Sequence, residues 1–376
     1  MKKAISLILI VCLLFTFAGC RKKPTPSTPT DGISGNNTPQ ASAPNNQNAT
    51  VKPLIAVSVP AVTENTVKED GTLLFQYTYQ HMSLVLDKPD VADKVILDFL
   101  NRVDSTKEAA DATAEMAKQY YNSNSWVPYL YHITYSPTRI DENVLSLFGN
   151  NVVFTATTHP DRTCVSASYD LQTGDILTLA SIMAKDATTE QICNLVLDGL
   201  KELAEGDYLY EGYQQTVKQR FQIDASTDEA WYLTTTGLCF YFAPYEIAPY
   251  ASGVISVEIP YEKLGSILHE EYIPEKINAT TGNVTVSDFN AEGMSDIDHI
   301  AEIVVNNDGK MHIIQTDGII QDVKVLQTDS ASNYTIFAAN MLCADDGIML
   351  QAADGLLKNL KLSYKSGDET QVKPLG

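Results

Sequence analysis

Hydrophobic positions between residues 54 and 276 change their period several times. Apolar and polar residues alternate over Leu73–Leu86, which predicts a strand. Apolar residues recur every three or four positions over Val91–Val103 and Thr189–Leu203, which predicts helices, the second capped by Thr188 or Thr189. Further strands are predicted at Trp126–Tyr135, Val144–Ala156 (with a turn at Gly149-Asn150-Asn151), Cys164–Tyr169, Trp231–Leu233, Leu238–Phe242 and Ile255–Ile259, and further helices at Ala109–Tyr121 and Tyr213–Phe221. Helices interleaved irregularly with antiparallel-type strands indicate an α+β fold with a mixed helix and antiparallel-sheet domain.

Residues 277–376 show only short strand patterns. The segments lie at near-regular spacing, and Asn307-Asp308-Gly309 is typical of a hairpin turn. The predicted strands are Val284–Val286, Ala301–Val305, Met311–Gln315, Gly318–Leu326, Tyr334–Ala338, Ile348–Gln351 and Leu360–Tyr364. This spacing predicts a small all-β, sandwich-like domain. We therefore expect two folded domains, 54–276 and 277–376.

The N-terminus has the pattern of a secretory signal. Lys2 and Lys3 precede an apolar run from Ala4 to Phe17, which is too short for a comfortable membrane span. The run ends in Gly-Cys and resembles the lipobox of bacterial lipoproteins, which implies a signal peptide at 1–19 and lipidation of Cys20. The alternative is an ordinary signal peptide with a chance cysteine. We expect a lipid-anchored protein of the cell membrane that faces the extracellular side.

Residues 20–53 are expected to form a disordered linker. They are rich in Pro, Ser, Thr, Asn and Gln and have almost no large apolar side chain, so they cannot bury enough surface to offset their ordering entropy. A flexible coil of this length spans about 30 Å, which lifts a folded body clear of the lipid headgroups.

The chain is acidic, with a formal net charge of −21 over 376 residues. Negative charge of this size disfavours nucleic acid and favours basic ligands through electrostatic steering, although acidity also serves solubility alone. Four cysteines lie in the folded part, at Cys164, Cys193, Cys239 and Cys343. An extracytoplasmic location permits disulfides, but their wide spacing leaves buried thiols and bridges equally open.

Two stretches carry a family resemblance. The first is Thr158–Asp161 followed by Ser168–Leu179, and the second is Gly237–Gly253 followed by Ile259–Leu264. Over roughly residues 54–272 the chain resembles the extracellular domain shared by RsiV-type anti-sigma factors and the N-terminal part of PdaC-type peptidoglycan deacetylases. In RsiV-type proteins that domain is a receptor for lysozyme. The chain departs from the usual Gly-Gly-Ala-His of the first motif by reading Ala-Thr-Thr-His at 156–159.

The second motif contains two Pro-Tyr steps in a loop that leaves a strand. Proline fixes the backbone, and tyrosine supplies a large amphipathic contact area at a low entropy cost. The candidate ligand-binding residues are Pro244, Tyr245, Pro249, Tyr250 and His159. The resemblance implies lysozyme or a similar basic extracellular protein as the partner. The alternative for the prolines and tyrosines is that they cover the open end of a sheet.

The sequence offers little for an enzyme, a metal or a cofactor. His159 beside Asp161 lacks a nucleophile, and the Asp296-Ile297-Asp298-His299 stretch is a short acidic cluster of the kind usually solvated on loops. Neither the metal motif of the deacetylases nor the membrane span of the anti-sigma factors is present. We expect a non-enzymatic cell-surface binding protein without a cofactor or a metal. The alternatives are a peptidoglycan-associated accessory module and, third, an undetected cell-wall hydrolase.

Overall fold

A computed structural model describes residues 53–206, 208–221, 223, 230–275, 280–289, 297–328 and 333–376. All of them belong to one structural unit. The predicted signal peptide, Cys20 and the linker up to residue 52 lie outside the described residues. Within the described ranges, every helix is too short or too polar to cross a bilayer.

Helices and strands alternate irregularly along the first two thirds of the chain, and strands dominate the last third. The helices are α1 Pro89–Asp104, α2 Lys107–Tyr120, α3 Leu179–Ile182, α4 Thr189–Gly199, α5 Lys201–Glu205, α6 Tyr213–Arg220, α7 Tyr261–Leu264 and α8 Asp354–Leu357. The strands are β1 Ala56–Ser58, β2 Ala61–Val67, β3 Leu73–Gln80, β4 Ser83–Val85, β5 Tyr129–Ile140, β6 Val144–Phe154, β7 Asp161–Asp170, β8 Trp231–Leu233, β9 Gly237–Phe242, β10 Ile255–Pro260, β11 Val284–Asp288, β12 His299–Val304, β13 Lys310–Thr316, β14 Ile320–Thr328, β15 Asn333–Leu342, β16 Asp346–Ala352, β17 Leu360–Ser366 and β18 Glu369–Pro374. The predicted α+β class with a β-rich C-terminal part is confirmed.

The long helices begin where side-chain chemistry favours a helix start. α1 has Pro89 at its first position, and α4 is capped by Thr188, whose hydroxyl accepts from the backbone N–H of Gln191 while the Gln191 side chain bonds back. The single helix predicted over Thr189–Leu203 is instead two helices, α4 and α5, which meet at Leu200. Of the predicted apolar stripe of Ile192, Val196, Leu200 and Leu203, the first three are fully buried and Leu203 is half-buried against the same core.

A five-stranded sheet in the order β2-β3-β5-β6-β7 packs one face on α1 and α2. The predicted turn at Gly149-Asn150-Asn151 is wrong, because these residues lie inside the continuous strand β6. The reason is packing: a Cβ at Gly149 would collide with the backbone carbonyl of Thr134 on β5. The glycine marks a close approach of two backbones within the sheet rather than a change of direction.

A three-stranded sheet in the order β10-β9-β8 forms a second apolar core with α4 and α6. β9 is buried along its whole length, whereas β10 alternates buried and exposed residues. Hydrogen bonds join this sheet to the five-stranded one. The Ser146 hydroxyl accepts from the backbone N–H of Leu233, and the Thr138 hydroxyl donates to the Leu233 carbonyl.

The C-terminal part contains two sheets around a third core. One has the order β18-β17-β14-β15-β1-β4 and the other the order β11-β13-β16-β12. The turn at Asn307-Asp308-Gly309 does not close a hairpin as predicted, because β16 lies between β12 and β13 in the sheet. The division at residue 277 stays a prediction; the six-stranded sheet takes two of its strands, β1 and β4, from before that position.

Candidate functional site

The loop that joins β9 to β10 carries both Pro-Tyr steps and is anchored from within. Glu246 accepts from the backbone N–H of Ala243 at 2.8 Å through Oε2, and its Oε1 lies 3.1 Å from Nε of Arg220 on α6. Ile247 and Ala248 are only 1% and 3% exposed and pack into the core of the three-stranded sheet. The middle of the loop is therefore fixed to the body, which leaves its flanking residues on the surface.

Tyr245 is held outward by an uncommon backbone conformation. Its φ is 72°, in the left-handed region that non-glycine residues rarely adopt, and its N–H donates to the carbonyl of Ala248 at 3.1 Å. The side chain is 55% exposed. Strained conformations of this kind persist only where the surrounding structure enforces them, and they are frequent at binding sites.

His159 meets the two tyrosines although it lies far from them in sequence. It sits in the connection between β6 and β7, and its ring stacks on Tyr250 with centroids 4.1 Å apart and planes at 20°. Nε2 of His159 lies 3.0 Å from the Tyr245 hydroxyl, and the Tyr250 hydroxyl donates to the Pro160 carbonyl at 2.9 Å. We call His159, Tyr245 and Tyr250 the aromatic cluster.

The predicted candidate residues thus divide into two roles in the structure. Tyr245 and Pro249 are exposed, and Tyr245 is the largest side chain offered to solvent by the loop. Pro244, Tyr250 and His159 are half-buried, and the hydroxyl and stacking contacts of Tyr250 join the β9–β10 loop to the β6–β7 connection. Tyr250 therefore joins and stabilises the two loops, while Tyr245 offers its ring to solvent.

Two further exposed tyrosines lie in a segment tied to the same loop. The backbone N–H of Tyr210 donates to the carbonyl of Ile247 at 2.8 Å, and Tyr208 and Tyr210 are 62% and 40% exposed. Sequence reasoning missed them because they fall between two helices without a strand or helix period. The signal was their composition: two aromatic residues in a short polar segment bounded by Gly206 and Gly212.

Among the described cysteines, Cys164 alone is half-exposed, and it lies close to this loop and is a poor nucleophile. Burial raises the pKa of the Cys164 thiol to about 11, helped by the negative charge of Glu246 and opposed by Arg162 and Arg220. A thiol with this pKa is protonated at neutral pH. The other cysteines of the folded part are buried, and all four are free thiols.

The acidic stretch at 296–299 is only partly described, since Asp296 lies outside the described residues. Nδ1 of His299 lies 3.1 Å from Oδ1 of Asp346, a carboxylate that is 3% exposed and also accepts from the backbone N–H of Cys343 at 2.8 Å. Across the described ranges, no three His, Cys, Asp or Glu side chains converge as a metal site would require.

The β9–β10 loop lies in a segment of the chain that matches a known family model. Residues 181–262 match the family model DUF3298, a protein family of unknown function, and this segment contains the β9–β10 loop but not His159. A solved DUF3298 family structure from Bacteroides fragilis is 18% identical, and the match covers 58% of this chain and 94% of the other at a TM-score of 0.42. A second, from Pseudomonas aeruginosa, is 14% identical, with 58% and 97% covered and a TM-score of 0.43. No curated protein matches the chain significantly.

Proposed function

We propose that the chain is a non-enzymatic cell-surface protein whose aromatic cluster and neighbouring tyrosines bind a basic extracellular protein, with lysozyme as the specific candidate. The observation that carries the proposal is the Tyr245 side chain, which is 55% exposed on a loop whose middle is fixed to the body of the protein. An aromatic ring that is already positioned loses little entropy on binding, so its contact area converts more fully into affinity.

Exposed tyrosine surface is concentrated around the β9–β10 loop. Tyr208, Tyr210 and Tyr245 expose 62%, 40% and 55% of their surface, and the Tyr210–Ile247 backbone bond holds the two segments together. Interface hot spots are enriched in tyrosine and cluster near the centre of a contact patch. Three such rings on adjoining loops are a suitable centre for a protein contact.

Charge supports a basic partner. The net charge of −21 gives the molecule a negative field that accelerates encounter with a cationic protein. Arg162 and Arg220 lie near the loop, so the attraction comes from the molecule as a whole rather than from charges inside the cluster. Steering of this origin weakens strongly with salt, because the Debye length shrinks from about 10 Å at 0.1 M to about 3 Å at 1 M.

The test is a calorimetric titration of the purified chain with lysozyme at low ionic strength. We expect binding that weakens as salt is added, and a loss of about 30-fold for Tyr245→Ala, the effect of a hot spot worth about 2 kcal/mol. Tyr120→Ala is the matched control, since Tyr120 on α2 is 60% exposed but lies outside the loop. Absence of binding at low salt, or equal losses for the two variants, would refute the proposal.

A cell-wall accessory role is the competing outcome of the same experiment. Sedimentation of the chain with purified peptidoglycan separates the two, because a wall-binding module sediments whether or not lysozyme is present. Sedimentation that depends on Tyr245, together with no lysozyme binding, would move the assignment to peptidoglycan.

The proposal includes attachment to the membrane through Cys20. Its support is the Gly-Cys ending of an apolar run that follows Lys2 and Lys3. Metabolic labelling with a fatty acid should mark the chain, and Cys20→Ser should abolish the label and release the protein from the membrane fraction. An unmodified Cys20 in membrane-bound material would contradict it.

A further inference from the structure

A groove with a cavity volume of about 840 Å³ lies away from the aromatic cluster, in the size range of ligand sites. Its walls come from the connection between β5 and β6, the connection between β8 and β9, the end of β10 with the start of α7, residues 273–275, and the strands β14, β15 and β17. Seven carboxylate side chains line it against two cationic ones. We call it the acidic groove, defined by Arg139, Glu258, Glu262, Asp322, Lys365 and Asp368.

Much of its negative charge is not neutralised locally. Asp141 pairs with Nε of Arg139 at 2.6 Å, and Asp322 pairs with Lys324 at 2.8 Å. Glu258 accepts the hydroxyl protons of Thr234 and Thr236, and it has no ion pair with another described residue. Glu262 and Asp368, both exposed, have no ion pair with any described residue. Cations entering the groove would therefore meet carboxylates that still lack a counter-charge.

The wall of the groove also holds a donor that lacks an acceptor. Arg139 is 1% exposed, and its Nη1 donates to the Tyr261 hydroxyl at 2.9 Å and to the Tyr272 carbonyl at 2.5 Å. Its Nη2 has no hydrogen-bond partner among the described residues. A buried guanidinium nitrogen without an acceptor is unusual, because buried polar groups are nearly always paired. An acceptor oxygen that reaches this wall would give Nη2 of Arg139 the hydrogen-bond partner that it lacks.

The backbone is distorted at the same place. Asp322 has a φ of 48°, and the pairing of β14 with β17 shifts its register between Gln321 and Lys324. Bulges and left-handed non-glycine residues are more frequent next to binding sites than elsewhere, since they redirect side chains that regular pairing would place differently.

We infer that the acidic groove binds a short basic peptide segment. Its ammonium or guanidinium groups pair with Glu258, Glu262 and Asp368, and a peptide carbonyl accepts from the Arg139 wall. A peptide fits this lining better than a simple polyamine, because a polyamine brings cations but no acceptor oxygen for Arg139 or for Lys365, which has no ion pair among the described residues.

The groove is separate from the proposed lysozyme surface. Neither the aromatic cluster nor Tyr208 or Tyr210 lines it. Peptide binding therefore does not depend on the proposed function, and either can fail while the other holds.

The experiment compares two probes of equal charge, acetyl-trilysine amide and spermidine, by calorimetry on the whole chain. Both carry three positive charges at neutral pH, but only the peptide offers carbonyl oxygens. We expect the peptide to bind at least tenfold more tightly at low salt. Equal affinities for the two probes, or no binding of the peptide, would overturn the inference.

Two sets of variants locate the binding. The double variant Glu262→Gln, Asp368→Asn should weaken the peptide at least fivefold, whereas Asp93→Asn with Glu108→Gln, which removes two exposed carboxylates from α1 and α2, should change it less than twofold. Arg139→Lys keeps the charge and removes Nη2, so it should reduce the preference for peptide over spermidine. If that variant does not fold, Lys365→Met tests the same preference. Equal losses for the two double variants would assign the effect to net charge and overturn the inference.

Discussion

The aromatic cluster and the acidic groove present two different kinds of surface on one chain. The cluster offers exposed rings held by a strained loop, and its charged neighbours are mixed in sign. The groove is concave and carries one sign of charge in excess. At the cluster, the contact itself comes from ring area, so salt weakens binding only through the long-range attraction of the whole molecule, whereas in the groove the contacting groups are carboxylates, whose attraction salt screens directly. The same molecule therefore provides two recognition chemistries that respond differently to the same change.

The two regions also differ in what holds them. Arg139 in the groove wall pairs with Asp141, two residues along the chain, and is tied to a distant part of the chain through Tyr261 and Tyr272. Tyr245 in the cluster contacts the rest of the protein mainly through one hydroxyl and its neighbouring rings. Removing the first should damage the fold, while removing the second should damage only the surface.

The largest expected effect is on the groove side. Arg139→Ala should lower the free energy of unfolding by about 3–5 kcal/mol, because it removes the ion-pair partner of the Asp141 carboxylate and leaves the buried oxygens of Tyr261 and Tyr272 short of a donor. Urea denaturation measures it. Arg162→Ala, at an exposed arginine on β7, should change stability by less than about 0.5 kcal/mol. A loss below about 1 kcal/mol at Arg139 would show that its contacts are dispensable.

A smaller effect should separate the two tyrosines of the cluster. Tyr250→Ala removes the stack on His159 and the hydrogen bond to Pro160, so it should cost about 1–2 kcal/mol of stability. Tyr245→Ala should cost less than about 0.5 kcal/mol, since more than half of the side chain is already in water. Thermal unfolding of the two variants side by side gives the difference. Equal losses would mean that Tyr245 is structural as well.

The smallest effect is chemical and concerns the thiol beside the loop. Burial raises the pKa of Cys164 to about 11, so at pH 8 only about one thiol in a thousand is the reactive thiolate. Alkylation should therefore be slow at pH 8 and accelerate about tenfold per pH unit up to pH 10, as read by mass spectrometry. Cys164→Ser should remove the slow label. Rapid modification of Cys164 at pH 8 would contradict the raised pKa.

Local structure could be predicted well where one element carries its own signal. The Thr188 cap, the apolar stripe of α4 and the alternation along β10 are all visible in the sequence, because caps and periods depend on neighbouring residues. The strand β18 and the helix α8 were missed. β18 is largely exposed, with only the partial burial of Gln371 and Lys373 to set a period, and α8 has four residues, too few for a helical repeat.

Long-range pairing could not be predicted in this way. Gly149 has the composition of a turn, but its absent side chain serves a close contact with Thr134, which only the paired sheet reveals. Likewise β16 separates β12 from β13, so a turn sequence between two strands did not mean that they pair. The candidate residues of the cluster were grouped by family resemblance. Nothing in their spacing shows that His159 stacks on Tyr250.

The position of β1 has a mechanical consequence. β1 is the first strand after Pro53 and lies between β15 and β4 in the sheet. The Asn340 side chain holds the residues just before β1, because it accepts from the N–H of Ile55 and donates to the carbonyl of Pro53. A pulling force applied ahead of residue 53 would therefore be transmitted first to the six-stranded sheet and only afterwards to the β9–β10 loop. Stress on the N-terminal end would thus strain the six-stranded sheet before it reaches the loop that carries Tyr245.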